Sequence, residues 1–116
     1  MLEAAVEASF DGQLDILVNS AFHAGRMEPF AEADLSKWRR PMDINYFGLL
    51  RLAQEFGPAL KGRSADGVTS ATAWVNLLSV YALSNFPPHG TFSASKAAAH
   101  SLAQCLRAEM RPAGVR

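Results

Sequence analysis

Long apolar runs are missing from this chain: no stretch approaches the ~20 consecutive apolar residues that a membrane-spanning helix needs. The opening Met1-Leu2-Glu3-Ala4-Ala5 has no basic flank leading into an apolar core, so no secretory signal is expected. Charge of one sign is also missing, because 11 Lys plus Arg offset 11 Asp plus Glu and the net charge is zero. That balance provides no electrostatic footprint for nucleic acid or for an anionic membrane surface, and neither is expected as a partner. Cysteine is nearly absent. Cys105 alone cannot form an internal disulfide, and no cysteine and histidine cluster has metal-ligand spacing, so no metal site is expected. These absences fit a reducing, cytoplasmic setting.

What is present is a chain of 116 residues, 49% hydrophobic and 19% charged, which is enough for one globular domain with a buried core. No internal repeat, low-complexity tract or second domain is evident, and residues 1–116 read as one domain. Leu2, Ala5, Val6 and Ser9 have helical spacing, and Asp11-Gly12 ends that helix after Phe10. From Leu14 to Asn19 the chain is short, mostly apolar and rich in branched residues, as a parallel strand covered on both faces should be. Ser20 to Ala33 reads as a loop at the strand's carboxyl end, where functional loops often lie. Asp34 can cap a short helix through Arg40. After Pro41 a longer helix is predicted over about Met42 to Leu60, ended by Lys61-Gly62. Its apolar residues fall on two faces, so it should pack on a sheet and on a second partner. Gly62 to Thr72 is polar, Ala73 to Leu78 forms a second strand, Ser79 to Gly90 a loop, and Thr91 to Met110 a last helix.

The order helix, strand, helix, strand, helix predicts a parallel α/β sheet with helices on its faces, joined by right-handed crossovers. A complete doubly wound sheet of this kind needs on the order of 180 residues, so the chain reads as roughly half of one. It opens in mid-helix and stops at Gly114-Val115-Arg116, like an excerpt. Two strands alone leave apolar faces and unpaired edges open, which predicts that a lone monomer is poorly folded or prone to aggregate.

Ser79 stands where the second strand ends, Phe92 follows 13 residues later, and Lys96 is four residues beyond Phe92 on the same helix face. Taken singly, Ser79 is an ordinary turn residue and Lys96 a solvated helix charge; their joint spacing singles them out. Asn76-Leu-Leu-Ser79 followed by Phe92-Ser-Ala-Ser-Lys96-Ala-Ala resembles the signature of the short-chain dehydrogenase/reductase family, a serine followed by Tyr-x-x-x-Lys. Leu14-Asp-Ile-Leu-Val-Asn-Ser-Ala21 resembles the family segment ending in Asn-Asn-Ala-Gly, with Ser20 in place of the second Asn and Phe22 in place of the Gly. Asp43-Ile-Asn45 resembles the helix segment that carries the asparagine of the catalytic tetrad.

The resemblance implies a partial Rossmann-like fold and an NAD(P)-dependent oxidoreductase that interconverts a small alcohol and a carbonyl compound. It implies catalytic positions at Asn45, Ser79, Lys96 and Phe92, the last in the place of the tyrosine, and a cofactor, NAD or NADP, bordered by Asn19, Ala21 and Lys96. In the family the tyrosine hydroxyl exchanges a proton with the substrate oxygen, the lysine cation lowers the phenol's pKa, the serine polarises the same oxygen and the asparagine helps hold a relay water. Phe92 keeps the ring and loses the hydroxyl. Tyr81 and His89 are the neighbours by sequence that could replace it, or else a loop-packing residue and a solvated helix-start residue. The glycine-rich turn that cradles a pyrophosphate has no counterpart, so weak dinucleotide binding or none is expected of these residues alone.

A different reading is a catalytically inactive binding or dimerisation protein. Ala94, Ala97, Ala98, Ser101 and Cys105 give the last helix a small-residue surface, suited either to packing on its own sheet or to a homo-oligomer through the two long helices. His23, His100 and Cys105 read as surface or packing residues. A serine hydrolase is disfavoured, because Leu78-Ser79-Val80-Tyr81 lacks the flanking glycines of a nucleophile elbow.

Overall fold

A computed structural model describes residues 8–9, 11, 13–28, 34–64 and 72–116. Strand β1 spans Ile16–Asn19, helix α1 Leu35–Met42, helix α2 Gly48–Ser64, strand β2 Ala73–Asn76 and helix α3 Gly90–Met110. The strands pair in parallel, with Ile16 opposite Ala73 and Asn19 opposite Asn76, as the alternation of elements predicts. Of the expected first helix only Ala8 and Ser9 lie within the described residues, and both are helical. Parts of two predicted connections, residues 29–33 and 65–71, lie outside them.

The capping expectation holds at Asp34, whose carboxylate accepts from the Ser36 amide at 2.9 Å and from its hydroxyl at 2.7 Å. The expected break at Pro41 does not occur. Helix α1 runs through Pro41 and continues as a π-helical turn, Asp43–Phe47, directly into α2. A proline inside a helix removes one N–H and crowds the preceding turn. Here the turn that follows widens, the Asp43 amide reaching the carbonyls of Arg39 and Arg40 and the Gly48 amide that of Asp43. The expected stop at Lys61-Gly62 is also passed, and α2 ends at Ser64. Its last turn carries Lys61 and Arg63, which suit the negative end of the helix dipole; Arg63 also reaches Asp15 at 2.7 Å, just before β1.

Helices α2 and α3 cover one face of the sheet. Leu60, Met110 and Val115 form a buried cluster there, with Leu14, Leu17 and Trp74 packed against it. The positive φ of Gly114, 85°, turns the chain after α3, so that Arg116 hydrogen-bonds Thr72 and Trp74 along the outer edge of β2. The opposite face corrects the expectation of a strand covered on both sides: Ile16 is 60% exposed, Val18 58% and Val75 43%. Strands of this composition are buried where helices lie on both faces; among the described residues only the Leu17–Trp74 face is covered.

An open row of branched residues on a two-stranded sheet favours self-association. Val18→Lys, opposite Val75 on that row, is therefore expected to lower the sedimenting mass of the chain while changing its stability by no more than about 1 kcal/mol. An unchanged distribution would show that another surface drives association.

Candidate active site

The carboxyl ends of β1 and β2, the segments that follow them and the start of α3 converge on Phe92 and Lys96. Helical spacing puts these two residues on one face of α3, and both are buried. The Lys96 Nζ donates to the Leu77 carbonyl at 3.4 Å, just past β2, and lies 5.8 Å from the ring centroids of both Phe22 and Phe92. Among the described residues no carboxylate is within ion-pair distance of it. Burial pushes its pKa down from the ordinary 10.5. The two ring faces favour the cation, but both stand near the ~6 Å limit of such contacts and do not offset the loss of water.

Phe92 is ringed by aromatic groups. Phe22 lies at 6.3 Å, Tyr81 meets it edge-on at 5.9 Å and His89 at 6.0 Å, with Phe86 stacked on Tyr81 at 5.2 Å. The two residues weighed as substitutes for the missing hydroxyl therefore both pack against the ring that lacks it. Ser79 is held at the base of this cluster, where its Oγ accepts from the Tyr81 amide at 3.2 Å and caps the short turn Val80–Ala82. Its hydroxyl hydrogen meets no acceptor among the described residues.

Asn45 reaches the site indirectly. It is 4% exposed on the π-helical turn, where its Oδ1 accepts from the His23 amide at 2.9 Å and its Nδ2 donates to the His23 carbonyl at 2.9 Å and to Ser95 Oγ at 2.8 Å. Ser95 in turn donates to the Phe92 carbonyl at 2.8 Å. One amide side chain thus ties the segment after β1 to the turn of α3 that carries Phe92. Gly25 completes that segment with a φ of 75°; a Cβ there would stand 3.1 Å from Pro41. Asn19 is engaged within the sheet, donating to Asn76 Oδ1 at 3.3 Å, and Ala21 is exposed; neither hydrogen-bonds Lys96.

Ser95 and the backbone of His23 have parts in the site that the sequence did not single out, and Phe22, marked there only as standing in place of a glycine, flanks Lys96. Ser95 lies inside the Phe92 to Lys96 motif, yet its partner Asn45 is 50 residues away and no local pattern signals the contact. On the outer side of α3, Ala94, Ser101 and Cys105 are exposed, and a cleft of about 430 Å³ is lined by Met42, Tyr46, Ala98, Ser101, Leu102 and Cys105. No described group of three or more His, Cys, Asp or Glu residues could hold a metal, and no described helix is long and apolar enough to cross a membrane.

Because the folded state lowers the pKa of Lys96, it binds fewer protons than the unfolded state between the lowered value and 10.5, and stability should rise with pH through that window. Lys96→Met removes the desolvated charge. It is expected to raise the thermal midpoint at neutral pH, by an increment that shrinks as pH approaches 10.5. A lower midpoint at every pH would mean that the ammonium's contacts outweigh its desolvation.

The family model for the short chain dehydrogenases matches residues 1–116. The chain is 36% identical over 118 residues to galactitol 2-dehydrogenase (L-tagatose-forming) of Cereibacter sphaeroides, covering all of this chain and 44% of that protein. It is 37% identical over 105 residues to the short-chain dehydrogenase PC-15 of Penicillium crustosum, covering 90% and 35%. Among solved structures it resembles a short chain dehydrogenase of Burkholderia cenocepacia in complex with NADP, with a TM-score of 0.82 and 35% identity over 99% of this chain and 45% of that one. A 3-ketoacyl-(acyl-carrier-protein) reductase of Brucella melitensis with NADH gives 0.88 and 26% over 99% and 48%. The chain spans less than half the length of these relatives, and its fold is a partial Rossmann-like α/β unit. Matched along its whole length, the chain belongs to the short-chain dehydrogenase family.

Proposed function

We propose that this chain is the catalytic segment of an NAD(P)-dependent oxidoreductase acting on a small alcohol or carbonyl compound, with its proton donor replaced by Phe92. The observation that carries this reading is the convergence of a buried, carboxylate-free Lys96, the Phe92 ring and the turn of Ser79 at one end of the sheet. Ser79 keeps a hydroxyl hydrogen to offer a substrate oxygen. Both amide hydrogens of Asn45 are already engaged, so its side chain acts as a positioning residue, setting the segment after β1 against α3. Phe92 has no proton to exchange, and Tyr81 and His89 are the groups beside it that do.

The residues present fit the nicotinamide end of a dinucleotide: a fixed cation at Lys96 and an exposed backbone around Ala21 at the end of β1. When bound, a nicotinamide supplies hydride exchange with the substrate carbon. Asn19, Ala21 and Lys96 would border it, and the pyrophosphate would need a glycine-rich turn from elsewhere.

The test is a chimera in which residues 1–116 replace the matching segment of the Cereibacter galactitol 2-dehydrogenase. NAD⁺ or NADPH at ~100 times its dissociation constant should add about 2.7 kcal/mol of stability to the chimera, seen as a raised thermal midpoint. The isolated chain should shift little. A chimera that unfolds cooperatively and responds to no dinucleotide would overturn the proposal. A second reading, an inactive binding or dimerisation protein, is favoured by Phe92 itself and by the exposed small residues of α3.

A further inference from the structure

We infer that Lys96 is a nucleophilic amine able to capture a small aryl aldehyde as an imine, a reaction that needs neither a tyrosine hydroxyl nor a dinucleotide. Three observations carry it. Lys96 is 5% exposed, and its Nζ has one long hydrogen bond, 3.4 Å to the Leu77 carbonyl. No described carboxylate holds its charge. The groups around it are rings: Phe22 and Phe92 flank the nitrogen at 5.8 Å, and Phe22 is the exposed one of the two, at 64% against 8% for Phe92. An amine in such surroundings is activated because water no longer stabilises its protonated form, and burial does hold Lys96 below the ordinary lysine range. Among the described residues the titratable groups near the cluster are Tyr81 and His89, packed on Phe92, and His23 after β1; none of these is a carboxylate that would restore the charge.

The step balances without a co-reactant. The ammonium releases a proton to water, the free amine's lone pair adds to the aldehyde carbon, and the nitrogen's remaining protons pass with the oxygen as water leaves and the C=N bond forms. An aryl group suits the site because it can replace the Phe22 ring against Phe92. The inference does not rest on dinucleotide binding, so the chimera and the labelling experiment can fail separately.

The chain has three lysines, which provides an internal control. Lys37 is exposed, and Lys61 lies 3.8 Å from Glu109. The full chain is treated with benzaldehyde and cyanoborohydride near neutral pH, and the benzylated peptides are quantified with and without urea. The expected result is at least ~10-fold preference for Lys96 in the native chain, lost in urea. Equal labelling of the three lysines without urea, or a preference that persists in urea, would overturn the inference.

Discussion

Phe92→Tyr in the chimera is expected to raise turnover of the alcohol or carbonyl substrate by ~10² to 10⁴, the usual contribution of a positioned general acid. The Phe92 ring is already held where a hydroxyl could act. It is 8% exposed, braced by Tyr81, His89 and Phe22, with the Lys96 ammonium 5.8 Å from its centroid. A cation at that range stabilises phenolate and lowers the phenol's pKa from its ordinary ~10. Phenylalanine loses only this, because it preserves the ring's shape. Galactitol oxidation, followed as reduced dinucleotide, provides the readout, and dinucleotide binding should not change. A gain of the expected size identifies a disabled oxidoreductase. Unchanged turnover in a chimera that still binds dinucleotide favours the inactive binding protein, unless Tyr81 or His89 already supplies the proton; Tyr81→Phe and His89→Ala in the Phe92 background then separate the cases by abolishing residual turnover.

Asn45→Leu should produce the largest stability loss of any substitution at the site. Its amide satisfies the His23 N–H, the His23 carbonyl and Ser95 Oγ at once. Leucine nearly preserves the volume, leaves the His23 N–H and carbonyl unpaired and removes the donor to Ser95 Oγ, which keeps its bond to the Phe92 carbonyl, at about 1 kcal/mol each and about 3 kcal/mol in all. In the chimera the thermal midpoint should fall by roughly 10 °C. Ser95→Ala should cost about 1 kcal/mol, since the Asn45 to His23 bonds survive. Equal effects would mean that the α3 side of the bridge, rather than the segment after β1, carries the stabilisation.

The two variants also separate chemistry from scaffold. Phe92→Tyr changes a proton inventory within an unchanged shape, and should alter turnover with little effect on the midpoint. Asn45→Leu changes no group assigned to proton exchange, and should alter the midpoint first, with turnover following through the displaced segment.

The element order, the parallel pairing, the cap at Asp34 and the shared helix face of Phe92 and Lys96 were all legible in the string of residues. These follow from short-range rules: apolar spacing, capping chemistry and helical repeat act over a few residues and leave their mark in the string. Other features depend on how the elements pack. Pro41 and Gly62, which punctuate a sequence, lie inside continuous helix because the π-helical turn and the packing of Leu49, Phe56 and Leu60 hold the chain helical through them. The composition of β1 reads as doubly covered while the half-sheet length predicts open apolar faces, and Ile16, Val18 and Val75 are open, since composition records what a strand can bury and not what is there to cover it. Phe22 was legible only as a departure from a pattern, and its place against Lys96 comes from a loop path that no periodicity encodes. The bond from Asn45 to Ser95 joins residues 50 apart. Contacts of that range form when elements pack, and their geometry exists only after the chain has folded.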